Sequence, residues 1–395
     1  LARGPQGSSL ERPNHLFAAA RENGRLVELD WMCRVAAVTG ALEAGFPKPL
    51  SLFVNIEPST IGYPTPEWAR GVLEQAAQQL NLVFELTERA LTDRPGDVLA
   101  AVPRLRALGV AIAIDDVGAD RRSLALMPFV EPEIIKLDLR LVQSNPSPEI
   151  ASIVHAVNAA AERSGAVILA EGIENETQRE IARALGARCA QGWLYGRPEP
   201  LPEPRSLVPL PRARVAAPRR SPVGGAPTPF QVVAAHQPAR RGSKVLLLPI
   251  SRHLEAQVAA RSESGVLLAS FQDAHHFTPH TRARYRRLGQ SAAFVGALGV
   301  GLATNPEPGV RGASLQDNEP LRGEWNVIVV DPHFAAAFVA QDLGDTECED
   351  MERRFDFCLT YDRELVVQAA QALMHRVAPG VSAQAPGLQG GAPGS

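Results

Sequence analysis

Carboxylates and amides recur at the ends of short apolar runs through the first half of this chain. Asn55 follows the run 50–54, Glu85 and Glu88 stand in Phe84-Glu-Leu-Thr-Glu88, and the pair Asp115-Asp116 follows 110–114. Lys136 lies in Ile134-Ile-Lys-Leu-Asp138, Glu171-Gly-Ile-Glu174 follows 167–170, and Gln191 opens Gln191-Gly-Trp-Leu-Tyr-Gly-Arg-Pro198. So many carboxylates brought to one place repel one another unless divalent cations hold them together. The chemistry this suggests is metal-assisted and acts on an anionic substrate. Lys136 is one of only three lysines in a chain with 40 lysines and arginines. An amine there suits a place that wants a compact ammonium with rotatable donors rather than a planar guanidinium fork.

The elements between these signatures alternate. Apolar strand-like runs are followed by helical stretches at 67–80, 95–108, 148–164 and 174–185. A strand ending on a carboxylate or amide, then a helix, repeated at intervals of about 20 to 35 residues, builds a site at the C-terminal face of a (β/α) barrel. The expected fold is α/β: a TIM-like barrel over 1–200, lacking its first strand or strands, then a second, smaller α/β domain.

Between 201 and 229 proline and arginine dominate, and no acidic residue occurs between Glu203 and Glu255. The segment reads as a semi-extended interdomain linker; a nucleic-acid contact would call for interleaved aromatics that are missing. In the second domain, 230–378, strands are expected at 244–250, 265–271, 325–331 and 355–361, and helices at 281–298, 332–341 and 362–377. The Gly/Pro/Ala-rich tail 379–395 is expected to be disordered.

The 395 residues leave room for two domains, and a net charge of −3 gives no pull toward a polyanion. Cys33, Cys189, Cys348 and Cys358 are scattered without a CxxC pair and read as reduced thiols. No apolar stretch reaches the roughly 18 residues of a membrane span, and no signal peptide opens the chain, so a cytoplasmic location is expected.

Taken in order, VN at 54–55, ELTE at 85–88, DD at 115–116, KLD at 136–138, AEGIE at 170–174 and QGWLYGRP at 191–198 resemble the EAL domains, phosphodiesterases that linearise cyclic di-GMP. The resemblance implies two Mg²⁺ or Mn²⁺ ions. It makes Asn55, Glu85 and Asp115 ligands of the first ion, with Asp115 bridging, and gives Asp116 and Glu171 to the second. Lys136 would orient the nucleophilic water, with Glu171 the general base. Arg3 and Gln191 would contact substrate, while Glu88 and Glu174 would support loops. Cyclic di-GMP is the implied partner, and a homodimer through the barrel is suggested.

Two departures accompany the resemblance. Leu1-Ala-Arg3 matches the end of the family's Glu-Ala-Leu-x-Arg motif, so the motif glutamate, a first-ion ligand, is missing and the fragment is expected to be inactive. The loop after the aspartates reads Asp116-Val-Gly-Ala-Asp-Arg-Arg-Ser123 where active members carry Asp-Phe-Gly-Thr-Gly-Tyr-Ser-Ser. An idle module that binds cyclic di-GMP or a protein, and an enzyme for another dinucleotide, are the rival readings.

From about 230 to 378 the chain resembles the DICT domain, a sensory module. The resemblance is carried by Phe271-Gln-Asp-Ala-His-His-Phe-Thr-Pro279, Leu321-Arg-Gly-Glu-Trp325 and Phe355-Asp-Phe-Cys-Leu-Thr-Tyr-Asp362. His275, His276 and His280 read as ordinary surface or packing histidines, since no acidic or cysteine cluster accompanies them.

Overall fold

Every apolar run that precedes a signature in the first half becomes a strand. In this computed structural model, which describes residues 2–48, 50–119, 123–144, 147–197, 227–261, 264–316, 318–345 and 348–377, these are β1 Ser51–Ile56, β2 Asn81–Thr87, β3 Ala111–Val117, β4 Ile134–Leu137, β5 Val167–Ala170 and β6 Cys189–Ala190. All are parallel and pair in chain order. The helices are α1 Pro13–Glu22 and α2 Leu26–Glu43 ahead of the sheet, then α3 Glu67–Gln79, α4 Glu88–Asp93, α5 Pro95–Ala107, α6 Ser123–Val130, α7 Leu139–Gln143, α8 Pro148–Ser164 and α9 Glu176–Ala184. Sequential parallel pairing with helices on the outside curls the six strands into a half-barrel of TIM-like type. β4 and β5 are buried at every position, as strands covered on both faces must be.

A buried polar group fixes the entry to this wall. Asp30 and Arg34 of α2 form an ion pair with both side chains at most 4% exposed. Arg34 Nη2 donates to Thr60 Oγ1 at 2.7 Å, and the Glu57 backbone N–H donates to Asp30 Oδ1 at 3.2 Å. The helix is thereby tied to the loop that leaves β1 just beyond Asn55. Burial pushes the Asp30 carboxyl up and the Arg34 guanidinium down, so each charge depends on the other. Asp30→Ala, which strands the arginine, is expected to cost about 3–5 kcal/mol of stability, read by urea denaturation.

The second sheet is mixed, with strands β7 Arg240–Ser243, β8 Val266–Asp273, β9 Phe294–Val300, β10 Arg311–Ala313, β11 Glu324–Asp331, β12 Phe334–Asp342 and β13 Arg354–Thr360 in the order β10-β9-β8-β11-β12-β13-β7. Its helices are α10 Pro229–Ala234, α11 Lys244–Arg261, α12 Pro279–Ser291 and α13 Arg363–Met374.

At three places the second domain departs from what its sequence suggests. The stretch 244–250, expected as a strand, opens α11: Val245 and Leu246 are exposed while Leu247, Leu254 and Val258 are buried, the spacing of one helical face. The expected helix 281–298 stops at Ser291, because the apolar run after it pairs with β8 as the buried strand β9. The expected helix 332–341 is β12; its alanines favour helix, but pairing with β11 and β13 on both sides overrides that preference. The proposed tail at 379–395, and the linker up to 226, lie outside the described residues.

The two sheets share packing. Met374 of α13 sits among Leu91, Val98, Leu99, Leu126 and Phe129 of the half-barrel's helical layer. Gln371 Nε2 donates to the Phe129 carbonyl at 2.9 Å, and Arg311 donates to the carbonyls of Thr92 and Asp93 at 2.9 and 3.0 Å.

Candidate active site

Parallel pairing in register brings the strand ends together. Asn55 of β1 is the partner of Glu85 on β2, and Thr87 is the partner of Asp115 on β3. Lys136 lies on β4, while Glu171 follows directly on β5. The carboxylates converge on the lysine. Its Nζ stands 2.5 Å from Glu85 Oε1, 2.7 Å from Asp115 Oδ1 and 2.8 Å from Glu171 Oε1, with its side chain only 4% exposed.

Burial and mutual repulsion set the protonation of this group. Burial works against the Lys136 charge, yet Glu85, Asp115 and Glu171 outweigh it and raise its pKa. The Glu171 carboxyl is pushed up to about 7, chiefly by burial, with Asp115 and Asp116 adding and Lys136 opposing. Burial likewise raises Glu85 against the pull of Lys136, and raises Asp116, helped by Asp115 and Asp138.

The loop carrying the aspartates is sharply bent. Asp116 adopts a φ of 56°, and its backbone N–H donates to Asp115 Oδ1 at 3.1 Å. Gly118 follows with a φ of 103°, where an added Cβ would come 2.7 Å from Leu141 Cδ1. The backbone conformation therefore favours glycine, and a side chain there would also displace Leu141. Residues 120–122 of this loop lie outside the described residues.

Glu171 is held from two sides. Gln191 Nε2 donates to Glu171 Oε1 at 2.6 Å, and Gln143 Nε2 donates to the Gly172 carbonyl at 2.7 Å. Gly192 is packed so that a Cβ would lie 2.2 Å from the Ile173 carbonyl oxygen, which keeps the Gln191 turn against the loop bearing Glu171.

Of the remaining sequence candidates, Asn55 is exposed at the end of β1 beside Glu85. Glu174 is exposed; its backbone N–H donates to Gln178 Oε1 at 2.7 Å and its carboxylate takes no part in the cluster. Arg3 is exposed and likewise outside the cluster. The side chain of Glu88 is outside the described residues. Asp138 caps α7 by accepting from the Arg140 N–H at 2.8 Å.

Two groups were not singled out by sequence reasoning. Gln143, in the last turn of α7, carries no local signal of its role, which exists only because α7 lies against the Gly172 turn. Thr87 stood inside a quoted motif, and its Oγ1 is buried without a hydrogen-bond partner among the described residues.

Asp115, Asp116 and Glu171 each offer a carboxylate oxygen within 4.8 Å of one another, a donor set of hard oxygens that fits Mg²⁺ or Mn²⁺. A half-barrel of parallel strands with acidic residues gathered at the strand C-terminal ends defines the class: a (β/α) protein with a site suited to divalent cations. The particular family follows. Residues 2–198 match the EAL domain and residues 230–343 match DICT, described as a sensory domain in diguanylate cyclases and two-component systems. The chain is an EAL domain followed by a DICT domain.

Among relatives, the cyclic di-GMP phosphodiesterase RocR of Pseudomonas aeruginosa is 33% identical over 165 residues, 39% of this chain and 40% of RocR. The cyclic di-GMP phosphodiesterase NbdA of the same organism is 30% identical over 214 residues, 53% of this chain and 27% of NbdA. A manganese and cyclic di-GMP complex of Klebsiella pneumoniae BlrP1 is 28% identical, covering 50% of each chain with a TM-score of 0.43. The chain thus spans well under half the length of these curated relatives. No helix among the described residues is long and apolar enough to cross a membrane.

Proposed function

We propose that this chain hydrolyses cyclic di-GMP to linear pGpG in a metal-dependent reaction, in bacterial cytoplasmic second-messenger signalling. The observation that carries this reading is the convergence of Glu85, Asp115 and Glu171 on Lys136 at the strand ends, with Asp116 alongside.

Asn55, Glu85, Asp115, Asp116 and Glu171 would hold two Mg²⁺ or Mn²⁺ ions. Such ions neutralise a phosphodiester and acidify a nucleophilic water. Glu171 is assigned as the general base toward that water. Gln191 and Lys136 both engage its Oε1 and hold the carboxylate in place. As the water oxygen bonds to phosphorus, the bond from phosphorus to one 3′ oxygen breaks, and that oxygen leaves as the hydroxyl of pGpG once protonated. Lys136 screens charge among the carboxylates and would do so for the phosphate. Arg3 and Gln191 are assigned to substrate, Glu88 and Glu174 to loop support.

The organisation that goes with this reading is an EAL unit over 1–200, a linker over 201–229 and a DICT unit over 230–378 that tunes hydrolysis. A homodimer through the barrel belongs to it as well. A second reading, a non-hydrolysing receptor for cyclic di-GMP or a protein-interaction regulator, is favoured by the altered loop after Asp116, where Ala119 supplies no hydroxyl.

The test is cyclic di-GMP turnover with Mg²⁺ and with Mn²⁺, followed by chromatography of the product. It is run on the sequence as it stands and with Glu-Ala placed ahead of Leu1. Linear product that EDTA abolishes supports the enzyme. Saturable binding without product in both forms replaces it with the receptor, and neither binding nor turnover leaves protein interaction.

A further inference from the structure

A cavity of about 390 Å³ lies where α13 meets α6, β4 and α8; Ile135, which lines it, neighbours Lys136 on β4 and so faces the other side of that strand. That volume is in the range of about 300–1,000 Å³ in which small organic ligands bind. Its apolar wall comes from Met127, Pro128, Ile135 and Val367, and two arginines, Arg163 and Arg363, enter from the two sheets' helices.

Each arginine makes a single hydrogen bond among the described residues. Arg163 Nη2 donates to the Pro332 carbonyl at 3.3 Å, and Arg363 Nη1 donates to the Asp331 carbonyl at 2.8 Å. Both acceptors are neutral. Arg363 Nη2 is buried and has no hydrogen-bond partner among the described residues. Burial, with Arg163 close by, pushes the Arg363 guanidinium down to about 10, and the nearby Asp331 carboxylate only partly offsets this. A guanidinium cannot rid itself of its charge under ordinary conditions, and a buried donor left unpaired invites an acceptor.

We propose that this cavity binds a small organic monocarboxylate with an apolar body. Its carboxylate would lie on Arg163 and Arg363, and its body against Met127, Pro128, Ile135 and Val367. Guanidinium forks match the planar, two-oxygen geometry of a carboxylate, and the apolar wall has nothing to offer a bare inorganic anion. Glu131 and Glu364 also line the cavity; Glu364 Oε1 accepts from Gln368 Nε2 at 3.3 Å, and the two carboxylates disfavour a dianion. The occupant would touch α6, which follows the Asp115–Asp116 loop, and α13, which belongs to the second sheet. This site is separate from the hydrolytic reading and does not depend on it.

The test is calorimetric titration of the full chain at low salt and pH 7.5 with hexanoate, benzoate and inorganic phosphate. The expected result is one saturable site for hexanoate or benzoate, weakened about tenfold or more, roughly 1.4 kcal/mol, by Arg363→Met and also by Arg163→Met. Arg163 is exposed and makes one backbone contact, so its variant folds even if Arg363→Met does not. No saturable binding of either carboxylate overturns the proposal, as does binding that neither substitution alters. Phosphate binding more tightly than both carboxylates overturns the assigned ligand class.

Discussion

Replacing Lys136 with methionine is expected to destabilise the metal-free protein by about 3–5 kcal/mol at pH 8 and to lower cyclic di-GMP turnover by about 100-fold or more. The cause is electrostatic. Three carboxylates, Glu85, Asp115 and Glu171, each place an oxygen 2.5–2.8 Å from one ammonium, and none of their side chains is more than 15% exposed. Methionine fills the same volume but leaves those oxygens facing one another with no cation between them. Water cannot screen the repulsion at that depth, so the carboxyls take up protons or the strand ends part. Mn²⁺ should therefore raise the melting temperature of Lys136→Met more than that of the parent, because a divalent ion restores the missing positive charge. Urea denaturation in EDTA, repeated with Mn²⁺, reads the first effect; a turnover assay reads the second. Equal stability of the two proteins in EDTA would remove the lysine from its place at the centre of the cluster.

The half-barrel was legible because its signals are redundant. Each of its strands is a short apolar run closed by a polar residue, and several of the helices end at a glycine, Gly109, Gly165 and Gly186. An error of a residue or two at β1 or β3 left the topology unchanged. The acidic cluster was legible for the same reason: parallel strands in sequential order bring their C-terminal ends together whatever their exact bounds. The second sheet offered no such redundancy. The run at 244–250 is apolar at consecutive positions, and only the burial of Leu247, Leu254 and Val258 against exposed Val245 and Leu246 distinguishes helix from strand. For Phe334–Asp342, the deciding interaction is with residues far along the chain, on β13, and local composition points the other way.

What no linear pattern carried was the role of partners across space. Gln143 matters through a turn 29 positions away. The centrality of Lys136 was visible only as a rare residue type in a motif; that it meets three carboxylates depends on the pleat and register of β2 to β5. The contact of α13 with α5 and α6 was beyond sequence reasoning altogether, since it is made by apolar faces that would have been equally at home against their own sheets.

Divalent-ion affinity is expected to rise by about tenfold per pH unit below pH 7 and to level off above it. The Glu171 carboxyl is pushed up to about 7 from an ordinary value of 4.5. Between those values the folded protein holds a proton that the unfolded chain releases. Its contribution to the stability of the metal-free protein is therefore present in full below about pH 4.5 and lost as the pH rises through 7. A metal ion needs the same oxygen bare, so binding below pH 7 must expel that proton, and the expelled proton gives the affinity its slope. Glu85 and Asp116, also raised by burial, steepen the slope at lower pH. Mn²⁺ titration followed by the electron paramagnetic resonance of the free ion, at pH 5.5, 6.5, 7.5 and 8.5, measures it directly. Glu171→Gln should bind more weakly at every pH but lose the portion of the slope between 6 and 7.5, because its amide carries no proton to displace. An affinity that stays flat from pH 5.5 to 7.5 in the parent would mean that Glu171 is not among the ligands. Hydrolysis would then have to find its base and its metal oxygen elsewhere in the half-barrel.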